Sequence, residues 1–179
     1  MRAALELAAA PDGEPVKGER LAEAQDIPLQ FLEHILLELK HARLIQARRG
    51  ARGGYWLARA PSEITVADVI RAVEGPLANI QENAPEELHY AGSAEKLRDV
   101  WVAVRAALRS VLENVTLAEL ADGNLPWRID AILNNPEAWI KRLPAKPAHS
   151  DLIGRVFGRR SARLPSPAAF ETKSVHKGN

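Results

Sequence analysis

The chain has 179 residues, 46% of them hydrophobic and 26% charged, with a formal net charge of +1 and no cysteine. That length suits one compact domain, or one domain with an appendage, and the composition provides both a core and a solvated surface. The absence of cysteine excludes disulfides, thiolate nucleophiles, thiolate zinc sites and four-cysteine iron–sulfur clusters. No run approaches the roughly 20 apolar residues of a membrane span, and the opening lacks the basic flank and apolar region of a secretory leader. A cytoplasmic protein without a membrane partner is the expectation.

The small net charge hides a segregated distribution. Between positions 40 and 60 lie Lys40, Arg43, Arg48, Arg49, Arg52 and Arg59, with His41 beside them and no acid. A second basic stretch runs from Lys141 and Arg142 through Lys146, Arg155, Arg159, Arg160, Arg163, Lys173 and Lys177, against only Asp151 and Glu171. Glu82, Glu86, Glu87, Glu95 and Asp99 make the middle acidic. Two basic regions around an acidic centre suggest a nucleic-acid contact surface, although a solvated charged face has the same pattern.

In chain order, MRAALELAAA is a helix former and PDGEP a turn. A second helix is expected over 18–24, with Val16, Leu21 and Ala22 turned inward. Asp26 and Ile27 then make a turn and cap region that places Pro28 in the first turn of the next helix. In that helix, PLQFLEHILLELKHARL, the residues Phe31, Leu32, Ile35, Leu36, Leu39 and Leu44 recur at three- and four-residue steps. Gln30, Glu33, His34, Lys40 and His41 occupy the other face. Two short helices with a tight connection form a helix-turn-helix pattern.

The following LIQARRGARGGYWLAR reads as a strand, a glycine- and arginine-rich turn, and a return strand with Tyr55, Trp56 and Leu57. Gly50, Gly53 and Gly54 permit the reversal, and Arg48, Arg49 and Arg52 put positive charge on it. Such a wing can set its arginines against phosphates or into the minor groove. A nucleotide-binding loop fits poorly, since no lysine followed by serine or threonine completes the glycine run.

The next helix, within ITVADVIRAVEG, is capped by Ser62 or Thr65 and stopped by Gly75 and Pro76. Residues 79–93 lack periodicity and are expected to be a loop. A helix of about 20 residues, some 30 Å long, is expected over 95–114, with an apolar stripe of Leu97, Val100, Trp101, Val104, Leu108, Val111 and Leu112. That stripe suits the same helix of a second subunit, with packing inside one chain as the alternative. Thr116 caps a short helix ended by Gly123, and PWRIDAILNNPEAWIKRLP carries enough apolar residues to dock. The expected fold class is mainly α with a two-stranded β wing: a winged helix-turn-helix domain (1–78), a linker loop (79–93), a dimerisation helix region (94–123), a docking segment (124–143) and a basic tail (144–179).

The run from VKGERLAEAQDIP through QFLEHILLELKHARL, and above all RRGARGGYWLAR followed by ITVADVIRAVEG, resembles the N-terminal part of the Rrf2 family of bacterial winged helix-turn-helix transcription regulators. The resemblance is close over 16–78 and looser to about position 123. It implies a homodimer that binds double-stranded promoter DNA at a pseudo-palindromic site and usually represses transcription. It puts Pro28 and Leu29 at the entrance of the recognition helix, with Gln30, Phe31 and His34 near its start, and puts Arg48, Arg49 and Arg52 on the wing. Residue chemistry gives Gln30 and His34 base-edge roles and the arginines phosphate or minor-groove roles. Phe31 is expected to be partly packed.

Many relatives hold an iron–sulfur cluster through cysteines in the loop before the long helix, and 79–93 has none. No cofactor is therefore expected. Glu6, Glu82, Glu86, Glu87, His89 and Glu95 are the carboxylates and histidine to inspect as metal ligands, although dispersed side chains of this kind are more often surface groups. The N-terminus looks shorter than is usual in the family, lacking several residues that commonly precede the first helix, so that either a trimmed first helix is tolerated or the start is incomplete. A small-molecule or protein effector is left open, with His89, Tyr90, Trp101 and Trp127 as candidate pocket residues. Two further readings compete. An enzyme lacks support, because His34, His41, His89, His149 and His176 form no recognisable nucleophile–base–acid set. A dimeric interaction module that kept the winged-helix architecture without specific DNA binding is the other.

Overall fold

The computed structural model describes residues 1–11, 14–80 and 83–141. Glu82 and the tail at 144–179 lie outside these residues. Its elements are α1 (Arg2–Ala9), α2 (Gly18–Gln25), α3 (Leu29–His41), β1 (Ile45–Arg48), β2 (Gly54–Leu57), α4 (Val66–Glu74), α5 (Leu97–Leu112), α6 (Leu117–Ala121) and α7 (Trp127–Leu133). The strands pair antiparallel, Ile45 opposite Leu57 and Arg48 opposite Gly54. The described residues are thus mainly helical with one two-stranded sheet.

Leucine spacing builds the core. Leu32, Leu36 and Leu39 recur on one side of α3 and are all fully buried, joined by Leu7 from α1, Leu21 from α2, and Leu44 and Ile45 at the start of β1. Asp26 ends α2 in the left-handed region at φ 49°, and the Ile27 amide donates to Ala22 O at 2.9 Å. Aspartate tolerates this conformation better than most residues. Pro28 is the N-cap of α3 and does not enter its first turn. Its fixed φ still suits the position, because the residue just outside a helix needs no amide donor.

Thr65, and not Ser62, caps α4: its Oγ1 accepts from the Asp68 amide, and Asp68 Oδ2 accepts from the Thr65 amide, both at 3.1 Å. Thr116 and Glu119 repeat this reciprocal cap at α6. The two capped starts are joined by a bridge, with Val66 N donating to Val115 O and Leu117 N to Ile64 O, both at 2.9 Å. Leu117 and Ile64 are fully buried as a result, and α6 packs on α1.

Helix α5 has 16 residues and lies nearer the expected centre than the expected ends. None of its residues is buried. Leu97, Val100, Val104 and Leu108 form an exposed apolar row, while Trp101 and Arg105 turn toward the same chain and are half-buried. Within 79–93 the chain is more ordered than an aperiodic loop: Pro85–Glu87 and Gly92–Ala94 are 3-10 turns, and Pro85 is fully buried against α5. Glu86 pairs with Arg105, and Glu113 at the end of α5 pairs with Arg71 of α4.

The Arg105 guanidinium, hydrogen-bonded to Glu86, holds that carboxyl below the ordinary glutamate range. The contribution of the pair is therefore complete above the ordinary value and is lost as pH falls through the lowered one. Arg105→Ala should raise the Glu86 titration, followed by carboxyl carbon shifts, toward the ordinary range. Leu36→Ala should lower unfolding stability by about 2–5 kcal/mol, measured by urea titration.

Candidate nucleic-acid interface

Burial of Leu32, Leu36 and Leu39 dictates what α3 shows to solvent. Gln30, Glu33, His34, Leu37, Lys40 and His41 are all exposed on the opposite side. Gln30 and His34, four residues apart, lie one above the other, so their amide and imidazole face the same way. Phe31 departs from its expected partial packing, being 61% exposed. It sits beside Leu32, a full helical step from the buried row, and an apolar side chain there is free to meet a methyl group in a groove.

The wing stands next to this face. Its tip is closed by Gly53 N donating to Gly50 O at 2.9 Å, with Gly50 at φ 101°. A Cβ on Gly53 would fall 2.1 Å from Arg48 O, so only glycine fits the reversal. At its base, Tyr55 exchanges both backbone hydrogen bonds with Val16, at 2.8 and 2.9 Å, which ties the wing to the segment before α2. Gly54 makes that approach possible, since a Cβ there would lie 2.6 Å from Val16 O.

Side chains then divide their work. Arg48 donates to Arg52 O at 2.9 Å and Lys17 Nζ to Gly50 O at 2.8 Å, so both help to fold the turn. Arg49 and Arg52 are exposed, and among the described residues their guanidinium groups form no ion pair or hydrogen bond. Between α3 and the wing lies a cleft of about 430 Å³ lined by Lys17, Glu33, Leu37, Lys40, Arg48 and Arg49. The structure thus brings Arg48 and Arg49 to one cleft with Glu33, Leu37 and Lys40 of α3, whereas Gln30 and His34, exposed on α3, and Arg52, in the turn of the wing, do not line it. Sequence reasoning placed Glu33 on the exposed face of α3 but missed Lys17 and Leu37 as members of this surface. Lys17 precedes α2 and reaches the wing only through the Val16–Tyr55 pairing, for which local sequence carries no signal.

The other candidate residues lie apart. Among the described residues no three histidine, aspartate or glutamate side chains converge on a point that suits a metal. Glu6 accepts from Gln25 Nε2, Glu86 pairs with Arg105, and His89 Nδ1 lies 2.8 Å from Glu87 O. No helix among the described residues is long and apolar enough to cross a membrane. Gly53→Ala should open the wing, speeding amide hydrogen exchange at Tyr55 while leaving the Leu36 amide protected.

Comparison with known proteins gives a consistent result. Residues 1–123 match the family model described as "Rrf2: Iron-dependent Transcriptional regulator". The chain is 43% identical over 151 residues to the Mycobacterium tuberculosis protein Rv1287, provisionally named an HTH-type transcriptional regulator, covering 84% of this chain and 94% of that one. It is similar in structure to CymR, the global cysteine regulator of B. subtilis, with a TM-score of 0.54 and 30% identity over 66% of this chain and 87% of that one. It is also similar to T. potens IscR, with a TM-score of 0.52 and 30% identity over 79% and 86% of the respective chains.

Proposed function

We propose a function from one premise: this chain belongs to the Rrf2 family of transcriptional regulators, and so is a DNA-binding regulator with a winged-helix fold and not an enzyme. Beyond that premise, our reading is a homodimer that occupies a pseudo-palindromic promoter site and represses transcription by obstructing initiation. The observation that carries it is the exposure of Gln30 and His34 on α3 together with a wing, packed on the same helix, that carries two guanidinium groups without a partner among the described residues. The helix face suits base edges in the major groove, where glutamine bonds adenine and histidine donates or accepts. Arg49 and Arg52 suit phosphates or the minor groove, and Arg48 keeps the turn that presents them. Phe31 suits a thymine methyl.

The exposed row of Leu97, Val100, Val104 and Leu108 supports the dimer. Four large apolar side chains in line on one helix resemble half of a helix–helix interface, and a second copy around a two-fold axis supplies the matching half. Two heads so joined meet half-sites about 34 Å apart on one face of the duplex. The Arg71–Glu113 pair, where α4 meets the end of α5, supports a fixed relation between head and dimer axis.

The experiment is operator binding by variants across salt concentrations. Arg49→Ala with Arg52→Ala should weaken binding to every duplex and flatten the salt dependence by about one unit of log–log slope per lost phosphate contact. Gln30→Ala should instead change which bases are preferred, at about 1–3 kcal/mol for the affected pair. Unchanged affinity in both sets contradicts the assigned surface. Val104→Asp with Leu108→Asp should yield a monomer by sedimentation with the helical content of the wild type; a dimer would contradict α5 as the interface.

A further inference from the structure

Helix α7 is covered very little for a helix of its composition. It has seven residues, WRIDAIL, of which Trp127, Ile129, Ala131, Ile132 and Leu133 are apolar, and none is buried. A helix apolar nearly all round belongs inside a protein, and one this short is marginal alone in water. Its main packing partner is only the turn that follows, Pro136–Trp139. The Trp139 indole donates to Leu133 O at 2.7 Å, and Arg128 lies over the Trp127 ring, 5.4 Å from its centre, so both rings are anchored locally. Within α7 only Ile129 is half-buried, and every residue from 131 to 139 is exposed. This element lies beyond residues 1–123, which match the family model.

Helix α5 shows the complementary need. At about 100° per residue, Ala103, Ala107, Val100, Val104, Leu97 and Leu108 spread over about 140° of its circumference, and all are exposed. Pairing of two helices seals a seam narrower than about 100°, so a second α5 leaves part of this arc open. Area gives the same answer, since a stable interface takes about 800 Å² from each partner. A large aliphatic side chain hides roughly 60–120 Å² when fully covered. Leu97, Val100, Val104 and Leu108 are 36–52% exposed, so the row offers roughly 100–200 Å² of side chain. The two most exposed large apolar side chains among the described residues are Trp127, at 73%, and Trp139, at 72%. A buried indole accounts for about 150–250 Å², so these two offer roughly 200–350 Å² more.

We propose that α7 and the turn after it are an interaction surface for a second copy of this chain, docking on the part of the partner's α5 arc that the α5–α5 seam leaves open. The proposal rests on the dimer reading above and extends it. Two-fold symmetry makes the contact reciprocal, so each α5 is covered by the partner subunit's α5 and α7 together. Trp127, Ile132 and Trp139 then leave water on dimerisation, and α7 gains the tertiary packing that a seven-residue helix needs.

The test uses the full-length chain. Sedimentation equilibrium should show a wild-type dimer whose dissociation constant rises at least about tenfold in Trp127→Ala with Trp139→Ala, and likewise in Ile132→Asp, with helical content kept. The chain has no cysteine, so single-cysteine variants report location. Ala131→Cys mixed with Ala103→Cys or Ala107→Cys, then treated with a short bismaleimide, should give a product joining α7 of one chain to α5 of the other. Acrylamide quenching of Trp127, read as the difference between wild type and Trp127→Phe, should be weak in the dimer and strong in the Val104→Asp, Leu108→Asp monomer. A dimer that this α5 pair abolishes but the α7 variants leave unchanged overturns the proposal and spares the α5 reading. Absence of a mixed product with both cysteine pairs also overturns it, as does equal quenching in dimer and monomer, whether Trp127 is shielded by its own chain in both or open in both. A wild-type chain that is monomeric at every concentration overturns both readings.

Discussion

Burial of the leucine row of α3 is the constraint on which the rest depends. Leu32, Leu36 and Leu39 are fully buried on a helix that packs against α4, α2 and β1, and a helix cannot rotate one face inward without turning the other out. Exposure of Gln30, Glu33, His34, Leu37 and Lys40 follows from that burial. Each leucine loses a hydrophobic contribution of about 1.5–3 kcal/mol if it is returned to water. The orientation of the polar face is therefore held by a core that a single surface substitution does not disturb.

The wing acquires its position through backbone pairing. Val16 and Tyr55 exchange two hydrogen bonds, Gly54 leaves room for the approach, and Gly53 and Gly50 close the tip. Lys17 and Arg48 each donate one hydrogen bond to a carbonyl of the turn, whereas the guanidinium groups of Arg49 and Arg52 have no partner among the described residues. Charge counting along the chain treats these residues alike, whereas the fold separates those that shape the tip from those it presents. The same pairing links the wing to the segment next to α1, so both faces of β2 are part of one mechanical unit.

Much of this was legible in the chain, and for physical reasons. Leucines at helical spacing announced α3, glycines among arginines announced the wing, and Thr65 and Thr116, each three residues before an acid, marked helix starts. Periodicity could not rank Phe31 against Leu32, because both fit an apolar arc and only the neighbouring helices decide which is covered. The contacts Lys17–Gly50, Arg71–Glu113 and Arg105–Glu86 join positions far apart in sequence and leave no local trace. The aperiodic stretch before α5 owes its order to the burial of Pro85 and to that last ion pair, which replace the repeating backbone bonds that sequence patterns report.

The measurement that bears most directly on the central claim is quantitative binding of the full-length protein to its own upstream promoter DNA and to a scrambled duplex of equal length, across a range of salt concentrations. The account requires tight binding to the promoter, two chains per site, with a salt-dependent component shared by both duplexes and a large affinity difference that persists as salt rises. Equal affinity and equal salt dependence for the two duplexes would contradict sequence-specific recognition of that promoter by α3.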